Sequence, residues 1–270
     1  MDQNNIKQIV AVASGKGGVG KSTTAVNLAL ALAIEGARVG ILDADIYGPS
    51  QPLMLGATER PHIENKRISP VIRHGIQSMS IGYLVDDKAP MVWRGPMVSA
   101  ALQQLMNDTL WDNLDFLIID LPPGTGDIQL TLAQKIPVNG AVIVTTPQDL
   151  ALLDARRAYE MFRKVNVPVL GIVENMSVHV CSQCGHAESI FGEGGGKRLA
   201  EEYGIDFLGG LPLDIQIREQ TDSGTPTVAA DPEGANAKIY RHIARQVKDK
   251  LSLRGQGDAG QFPKIVIKND

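Results

Sequence analysis

The stretch Gly15-Lys16-Gly17-Gly18-Val19-Gly20-Lys21-Ser22 decides the fold of this 270-residue chain. It matches the phosphate-loop pattern G-x-x-x-x-G-K-[ST] and lies between a strand-like run, Gln8–Ala13, and an Ala/Leu-rich helical stretch, Ser22–Glu35. Glycines allow backbone N–H groups to crowd around phosphates, and the start of the following helix adds its positive dipole end. A plain glycine turn is the structural alternative, but the complete pattern in this setting predicts a nucleoside triphosphate site.

The remaining parts of such a site follow in the expected order. Residues 15–23, ending at Thr23, are the candidate phosphate ligands, with Lys21 placed for the terminal phosphates and Ser22 for Mg²⁺. Phe116–Asp120 is an apolar run that ends in an acid, so Asp120 is a second candidate Mg²⁺ residue. The Pro- and Gly-rich segment 121–127 then predicts a switch that senses the γ-phosphate.

Short runs of β-forming residues alternate with helical stretches along the chain. The predicted strands are Gln8–Ala13, Arg38–Asp43, Phe116–Asp120, Ala141–Thr145, Val169–Val173 and Asp206–Leu208. Most are continuous Val/Ile/Leu runs, which are typical of parallel strands covered on both faces. The predicted helices are Ser22–Glu35, Val98–Leu110, Ile128–Gln134, Leu150–Lys164, Gly196–Tyr203, Ile215–Asp222 and Ala235–Leu251. The prediction is an α/β fold, a doubly wound and mostly parallel sheet, in one domain spanning 1–253, with a long excursion and small hairpin at 47–87 and a mobile tail at 254–270.

Composition limits the classes of partner. The net charge is −4 and apolar residues make up 43% of the chain, so nothing predicts nucleic-acid binding. The polar N-terminus lacks the apolar core of a signal peptide, and the apolar run Ala25–Ile34 is too short to cross a bilayer. We therefore expect a cytoplasmic protein without a nucleic-acid or membrane partner.

A second lysine inside the loop narrows the class. K-G-G-V-G-K-[ST], present here as Lys16–Ser22, resembles the signature of the deviant Walker ATPases, the group of MinD, ParA, ArsA and the nitrogenase iron protein. The resemblance implies that Lys16 reaches across a homodimer interface to the partner's nucleotide, as an arginine finger does. It also implies that Asp45 orients or activates the attacking water, while Asp43 assists Mg²⁺ or Lys16. A solvated lysine and exposed or capping acids are the alternatives.

The choice of base depends on two segments after strands. The chain has no N-K-x-D guanine-reading motif; Asn175 follows one predicted strand, and Pro212-Leu213-Asp214 follows another. In the resembling group this Asn contacts adenine and the Pro-Leu-Asp loop borders the base, so ATP is favoured over GTP. An Asn that simply caps a strand end is the alternative.

The two cysteines of the chain lie in His179-Val180-Cys181-Ser182-Gln183-Cys184-Gly185-His186. Thiols two residues apart can converge on one metal, but zinc or an iron–sulfur cluster takes four ligands. A twofold dimer could supply one C-x-x-C from each subunit. A redox dithiol, a Cys₂His₂ zinc knuckle that uses His179 and His186, and two inert cysteines remain open.

Together these motifs resemble the Mrp/ApbC-type iron–sulfur cluster carrier ATPases over nearly the whole chain. Further pieces that carry the resemblance are Met91–Pro96, Thr145–Gln148, Ile190–Gly192 and Pro212–Glu219. The resemblance implies a homodimeric, slow ATPase that uses ATP and Mg²⁺, bridges a labile [4Fe–4S] cluster through Cys181 and Cys184, and passes it to apo iron–sulfur proteins. A ParA/MinD-like positioning ATPase without a metal and a zinc-stabilised regulatory ATPase are the alternative functions.

Overall fold

A computed structural model of the chain describes residues 6–85 and 95–258, with side chains for 6–85 and 97–254. Most of the Met91–Pro96 motif therefore lies outside the described residues, as does 259–270 of the predicted tail.

Helices and strands alternate as the sequence predicts. The strands are β1 (Gln8–Ala13), β2 (Val39–Asp43), β3 (Ile63–Glu64), β4 (Arg67–Ile68), β5 (Val71–Arg73), β6 (Ile76–Ser80), β7 (Phe116–Asp120), β8 (Gly140–Thr145), β9 (Val169–Glu174), β10 (His179–Val180), β11 (Ala187–Glu188) and β12 (Phe207–Gly210). The helices are α1 (Lys21–Ile34), α2 (Gln51–Met54), α3 (Gly95–Asp108), α4 (Asp127–Lys135), α5 (Asp149–Lys164), α6 (Gly195–Tyr203), α7 (Ile215–Asp222), α8 (Thr227–Ala230) and α9 (Ala235–Asp258), with a 3₁₀ turn at Ile81–Tyr83.

Within the described ranges, eight strands form one sheet in the order β12-β9-β8-β1-β7-β2-β6-β5. All neighbours in it are parallel except β5 and β6. The predicted doubly wound, mostly parallel α/β fold is thus confirmed. Because β1, β2 and β7 are adjacent and parallel, their carboxyl ends deliver the phosphate loop and two acidic strand ends to one edge of the sheet.

Two groups of helices cover this sheet. Helices α1, α8 and α9 pack together, and α3 to α6 form a second contiguous group. Leu28 and Leu32 of α1 are fully buried, because this helix is enclosed between the sheet and α9. Glu35, which caps the C-terminal end of α1, accepts hydrogen bonds from Arg241 (2.8 Å) and Arg245 (2.9 Å) of α9. The helix that begins at the phosphate loop is therefore held along its length and at its far end.

The excursion at 47–87 contains more structure than the sequence indicates. The expected small hairpin is present as β3 and β4, but β5 and β6 also extend the main sheet beyond β2. Strand β6 has the sequence Ile-Gln-Ser-Met-Ser, and its Ser78 and Ser80 are fully buried. Because β6 has polar residues at buried positions, it lacks the continuous apolar run by which the other parallel strands were predicted.

The last helix also departs from the prediction. Helix α9 continues to Asp258, past both the predicted helix end at Leu251 and the predicted domain boundary at 253. The mobility of 259–270 stays a prediction. Among the described helices, none is both long and apolar enough to cross a membrane.

Candidate functional site

The phosphate loop is wedged between two neighbouring segments. Gly18 and Gly20 have φ angles of +82° and +83°, a left-handed conformation that favours glycine. A Cβ atom on Gly20 would overlap the side-chain amide of Asn175, and one on Gly15 would overlap the backbone carbonyl of Asp154 in α5. Glycine at these positions allows the loop to pack directly on α5 and on the end of β9.

A cavity of about 250 Å³ lies against this loop. Of the predicted site residues, those that line it are Lys16, Gly17, Gly18, Gly20, Lys21, Ser22, Thr23 and Asp45. Ser50 and Pro123 lie on its wall as well, so the excursion after β2 and the predicted switch both reach the loop. The predicted residues Gly15, Val19, Asp43, Asp120, Asn175, Pro212 and Asp214 do not line it.

Lys21 converges with Ser22 and Asp120, two of the three candidate Mg²⁺ residues. The Lys21 side chain is 6% exposed, and its ammonium group forms an ion pair with the fully buried Asp120 and lies 3.1 Å from Ser22 Oγ. A cation thus already bridges the hydroxyl and the carboxylate, which are hard oxygen ligands of the kind that Mg²⁺ prefers. Together with the backbone cradle of the loop, this arrangement fits a magnesium–nucleotide complex.

Asp43 and Asp45 have different surroundings although one residue separates them. Both oxygens of the buried Asp43 accept hydrogen bonds, from the backbone N–H groups of Asp45, Ser50 and Gln51 and from Ser80 Oγ, at 3.0–3.1 Å. Burial, with the neighbouring Asp120 charge, raises the pKa of Asp43 to about 7. In the structure Asp43 therefore anchors the loop after β2, and its predicted contact with Mg²⁺ or Lys16 stays a prediction.

Asp45, by contrast, faces the cavity. It is half-buried, and the backbone N–H groups of Gly48 (3.3 Å, to Oδ1) and Tyr47 donate to its carboxylate. Burial raises the pKa of Asp45. A carboxyl group with a raised pKa that faces the phosphate cavity suits the predicted role of positioning or accepting a proton from water.

The residues predicted to contact the base lie beside the loop. Asn175 Nδ2 donates to the carbonyl oxygen of Val19 at 2.9 Å, so this side chain joins the end of β9 to the phosphate loop. Asp214 caps α7 by accepting from the Gln216 N–H (2.8 Å), and its second oxygen accepts from Asn236 Nδ2 (2.9 Å). Base contact by Asn175, Pro212 and Asp214 stays a prediction.

The cysteines lie on a separate, projecting hairpin that the sequence did not reveal. Strands β10 and β11 are antiparallel, and the turn between them carries Cys181, half-buried, and Cys184, exposed. The turn is closed by hydrogen bonds from Cys181 N–H to His186 O and from Gly185 N–H to Cys181 O, both 2.9 Å. Hydrogen bonds from the backbone N–H groups of Cys184 and Gln183 lower the pKa of the Cys181 thiol. A stabilised thiolate beside a second free thiol is the chemistry of a metal ligand.

A Cys₂His₂ knuckle within one chain receives no support from the described residues. The His179 side chain is hydrogen-bonded to the loop after β12, with its Nδ1 3.0 Å from Leu213 O. Throughout 6–85 and 97–254, no group of three or more His, Cys, Asp and Glu side chains is placed to hold a metal ion.

Gln51 is a residue of this site that sequence reasoning missed. It is fully buried, and its Nε2 donates to Asp120 Oδ2 (2.9 Å) and to Ser22 O (3.2 Å). It belongs to no recognised motif and lies in the irregular excursion after β2, so no sequence signal marks it.

The chain is similar to known proteins over most of its length. The model of the ParA family described as NUBPL iron-transfer P-loop NTPase matches residues 5–248. An iron–sulfur cluster carrier protein of Pseudomonas fragi is 67% identical over 243 residues, which cover 89% of this chain and 85% of that protein. The mouse iron–sulfur cluster transfer protein NUBPL is 52% identical, over 91% of this chain and 78% of its own length.

A solved structure is similar over the same region. The nucleotide-binding protein of Archaeoglobus fulgidus, in complex with ADP, has a TM-score of 0.73 and is 40% identical. The similarity covers 82% of this chain and 87% of that one.

Proposed function

Since this chain belongs to the NUBPL iron-transfer family of ParA P-loop NTPases, we propose that it is an ATP-dependent iron–sulfur cluster carrier. In this proposal two copies bind a labile [4Fe–4S] cluster between them, hydrolyse ATP slowly in the presence of Mg²⁺, and pass the cluster to apo iron–sulfur proteins in the cytoplasm. The names of the relatives support the carrier part of this proposal.

The observation that carries the proposal is the hairpin with Cys181 and Cys184. Its two thiols are free, lie outside the core, and include one whose pKa is lowered. Two thiolates are half of the four cysteine ligands that a [4Fe–4S] cluster takes, and a twofold axis beside the hairpin would supply the other two. A cluster held by two subunits at an exposed turn is accessible to an acceptor protein, which suits a donor.

The segment that follows β9 supports a coupling between nucleotide and cluster. Asn175 bonds the phosphate loop, and six residues later the chain reaches Cys181. Between them, the backbone bonds Ser177 N–H to Leu211 O (2.9 Å) and Leu213 N–H to Val178 O (2.8 Å) join the segment to the loop after β12. In this proposal, movement of the phosphate loop or of the loop after β12 is transmitted through these bonds to the base of the cysteine hairpin.

The roles of the phosphate-site residues form part of the same proposal. Lys21 and the loop backbone hold the phosphates, Ser22 and Asp120 hold Mg²⁺, and Asp45 orients the attacking water. Lys16 is half-buried at the cavity, where it can serve the nucleotide of a second subunit. Pro123 on the cavity wall connects the predicted switch to the phosphates.

Anaerobic reconstitution with iron and sulfide tests the proposal. We expect about four irons and four sulfides per dimer, lost in the double variant Cys181→Ala/Cys184→Ala and retained in Ser182→Ala, a control within the same turn. The loaded protein should then activate an apo iron–sulfur enzyme, faster with Mg·ATP than with Mg·ADP. A colourless protein that holds zinc would favour the regulatory ATPase, and a metal-free dimer would favour the positioning ATPase; either result would refute the carrier proposal.

A further inference from the structure

Gln51 has an unusual hydrogen-bond balance. Both hydrogens of its side-chain amide are used, one by Asp120 Oδ2 and one by Ser22 O, which are both acceptors. The amide nitrogen must therefore face these two atoms. The oxygen of the same amide, Gln51 Oε1, is buried and has no hydrogen-bond partner among the described residues.

A buried carbonyl oxygen without a hydrogen-bond partner destabilises the fold, so we expect Gln51 Oε1 to have a partner in the ligand-bound protein. Gln51 Oε1 belongs to the same planar amide whose nitrogen bonds Asp120 and the backbone of Ser22. The unpartnered oxygen thus lies beside the two residues expected to hold Mg²⁺. Ser50 Oγ, on the wall of the phosphate cavity, is a second buried oxygen for which the described part of the chain provides no hydrogen-bond partner.

Asp120 has its two oxygens divided between two donors. Lys21 binds Oδ1 and Gln51 binds Oδ2. Lys21 is also the residue expected to serve the terminal phosphates, and in that role its ammonium is shared with them. Gln51 is then the neutral donor that keeps the Asp120 carboxylate oriented, and it adds no charge that would compete with Mg²⁺.

The position of Gln51 is itself fixed. Its backbone N–H donates to Asp43 Oδ2 at 3.1 Å, and its side chain is fully buried. The anchor provided by Asp43 at the end of β2 therefore sets where the Gln51 amide meets the end of β7. This link connects the excursion after β2 to the phosphate loop.

We propose that Gln51 is a positioning residue of the magnesium site: its amide nitrogen orients Asp120, and its unpartnered oxygen accepts a hydrogen bond from the hydration shell of the ion. The inference rests on nucleotide binding alone and is independent of the iron–sulfur cargo. Its failure would leave the carrier proposal intact, and failure of cluster reconstitution would leave this inference intact.

Calorimetric titration of the full chain with ADP, in excess Mg²⁺ and separately in a chelator of divalent cations, tests the inference. Gln51→Met keeps the length of the side chain and removes both polar atoms. We expect the ratio of the ADP affinity in Mg²⁺ to the ADP affinity in chelator to fall about tenfold in this variant, which is the loss expected for one hydrogen bond to a charged group. The affinity in chelator should change less than about twofold. Gln246→Met is the matched control, since Gln246 donates to Leu208 O (2.7 Å) far from the phosphate loop.

A second variant guards against a folding defect. Gln51→Asn keeps a polar amide at the buried position but is one methylene shorter, so it should fold and still lose the Mg²⁺ preference. Circular dichroism verifies that each variant is folded before titration. An unchanged affinity ratio in a folded Gln51 variant, or an equal loss of affinity with and without Mg²⁺, would overturn the proposal.

Discussion

The contact between Asn175 and the phosphate loop leads to a measurable prediction about the cysteine hairpin. Asn175→Ala removes the 2.9 Å hydrogen bond from Asn175 Nδ2 to Val19 O. The Val19 carbonyl oxygen then lacks this donor in a buried place, since Val19 is 3% exposed. Loss of one such bond costs about 1–2 kcal/mol, which corresponds to a roughly 5–30-fold larger opening equilibrium of the linked segments. Because the hairpin follows Asn175 by only a few residues, we expect both the phosphate loop and residues 179–188 to open more often.

Amide hydrogen exchange followed by mass spectrometry measures this opening in the protein without cluster or nucleotide. Peptides over 15–21 and 179–188 should exchange about 5–30-fold faster in Asn175→Ala. Asn139→Ala is the control, because Asn139 Oδ1 accepts a comparable bond from the Ile9 N–H (2.7 Å) at the opposite end of β1. If the phosphate loop alone exchanged faster, the hairpin would be mechanically independent and the proposed coupling route would be refuted.

Three further predictions follow from the described contacts. The lowered pKa of Cys181 should make it react with iodoacetamide faster than Cys184 at neutral pH; rates followed by mass spectrometry across pH check this, and equal profiles for the two thiols would contradict it. The paired arginines of α9 lower the pKa of Glu35 to about 2, so this carboxylate stabilises the fold above pH 4.5 and loses that effect as pH falls towards 2. After allowance for solvent screening, Glu35→Gln should lower the free energy of unfolding by about 1–2 kcal/mol at pH 7 and by progressively less below pH 4.5, measured by urea denaturation; a loss independent of pH would argue against the ion pair. Gly15→Ala places a methyl group against the backbone of Asp154 and should weaken ADP binding by at least tenfold while the protein stays folded, and unchanged calorimetric affinity would show that the loop can shift without penalty.

Sequence predicted the parts of this molecule that depend on local patterns. The phosphate loop, the apolar parallel strands and the acidic residues at the ends of β2 and β7 all follow from residue spacing and from burial on both faces of a sheet. The Ile215–Asp222 helix was predicted to the residue. These features share one property, which is that neighbours in sequence determine them.

What sequence did not predict depends on contacts between distant segments. Strand β6 contains Ser80 because its hydroxyl donates a hydrogen bond to Asp43. Gln51 is buried because its side chain bonds Asp120, which lies 69 residues later in the chain. The β10–β11 hairpin consists of two-residue strands, which are too short for any periodicity to register. Asn175 carried a signal for a base contact, whereas its contact with Val19 arises from the packing of β9 beside the loop.

The central place of β1 has a consequence for how the chain is made. Val10 of β1 pairs with Ile118 and with Gly140, so β1 is synthesised more than 100 residues before its partners. At about 5–20 residues per second, β1 and the loop after it remain exposed on the ribosome for roughly 5–20 s or more. Long-range parallel pairing of this kind slows folding and leaves an apolar strand available for wrong partners. The nucleotide site is thus completed only after β7 and β8 have been synthesised, and its assembly reports that the central strands of the sheet have formed.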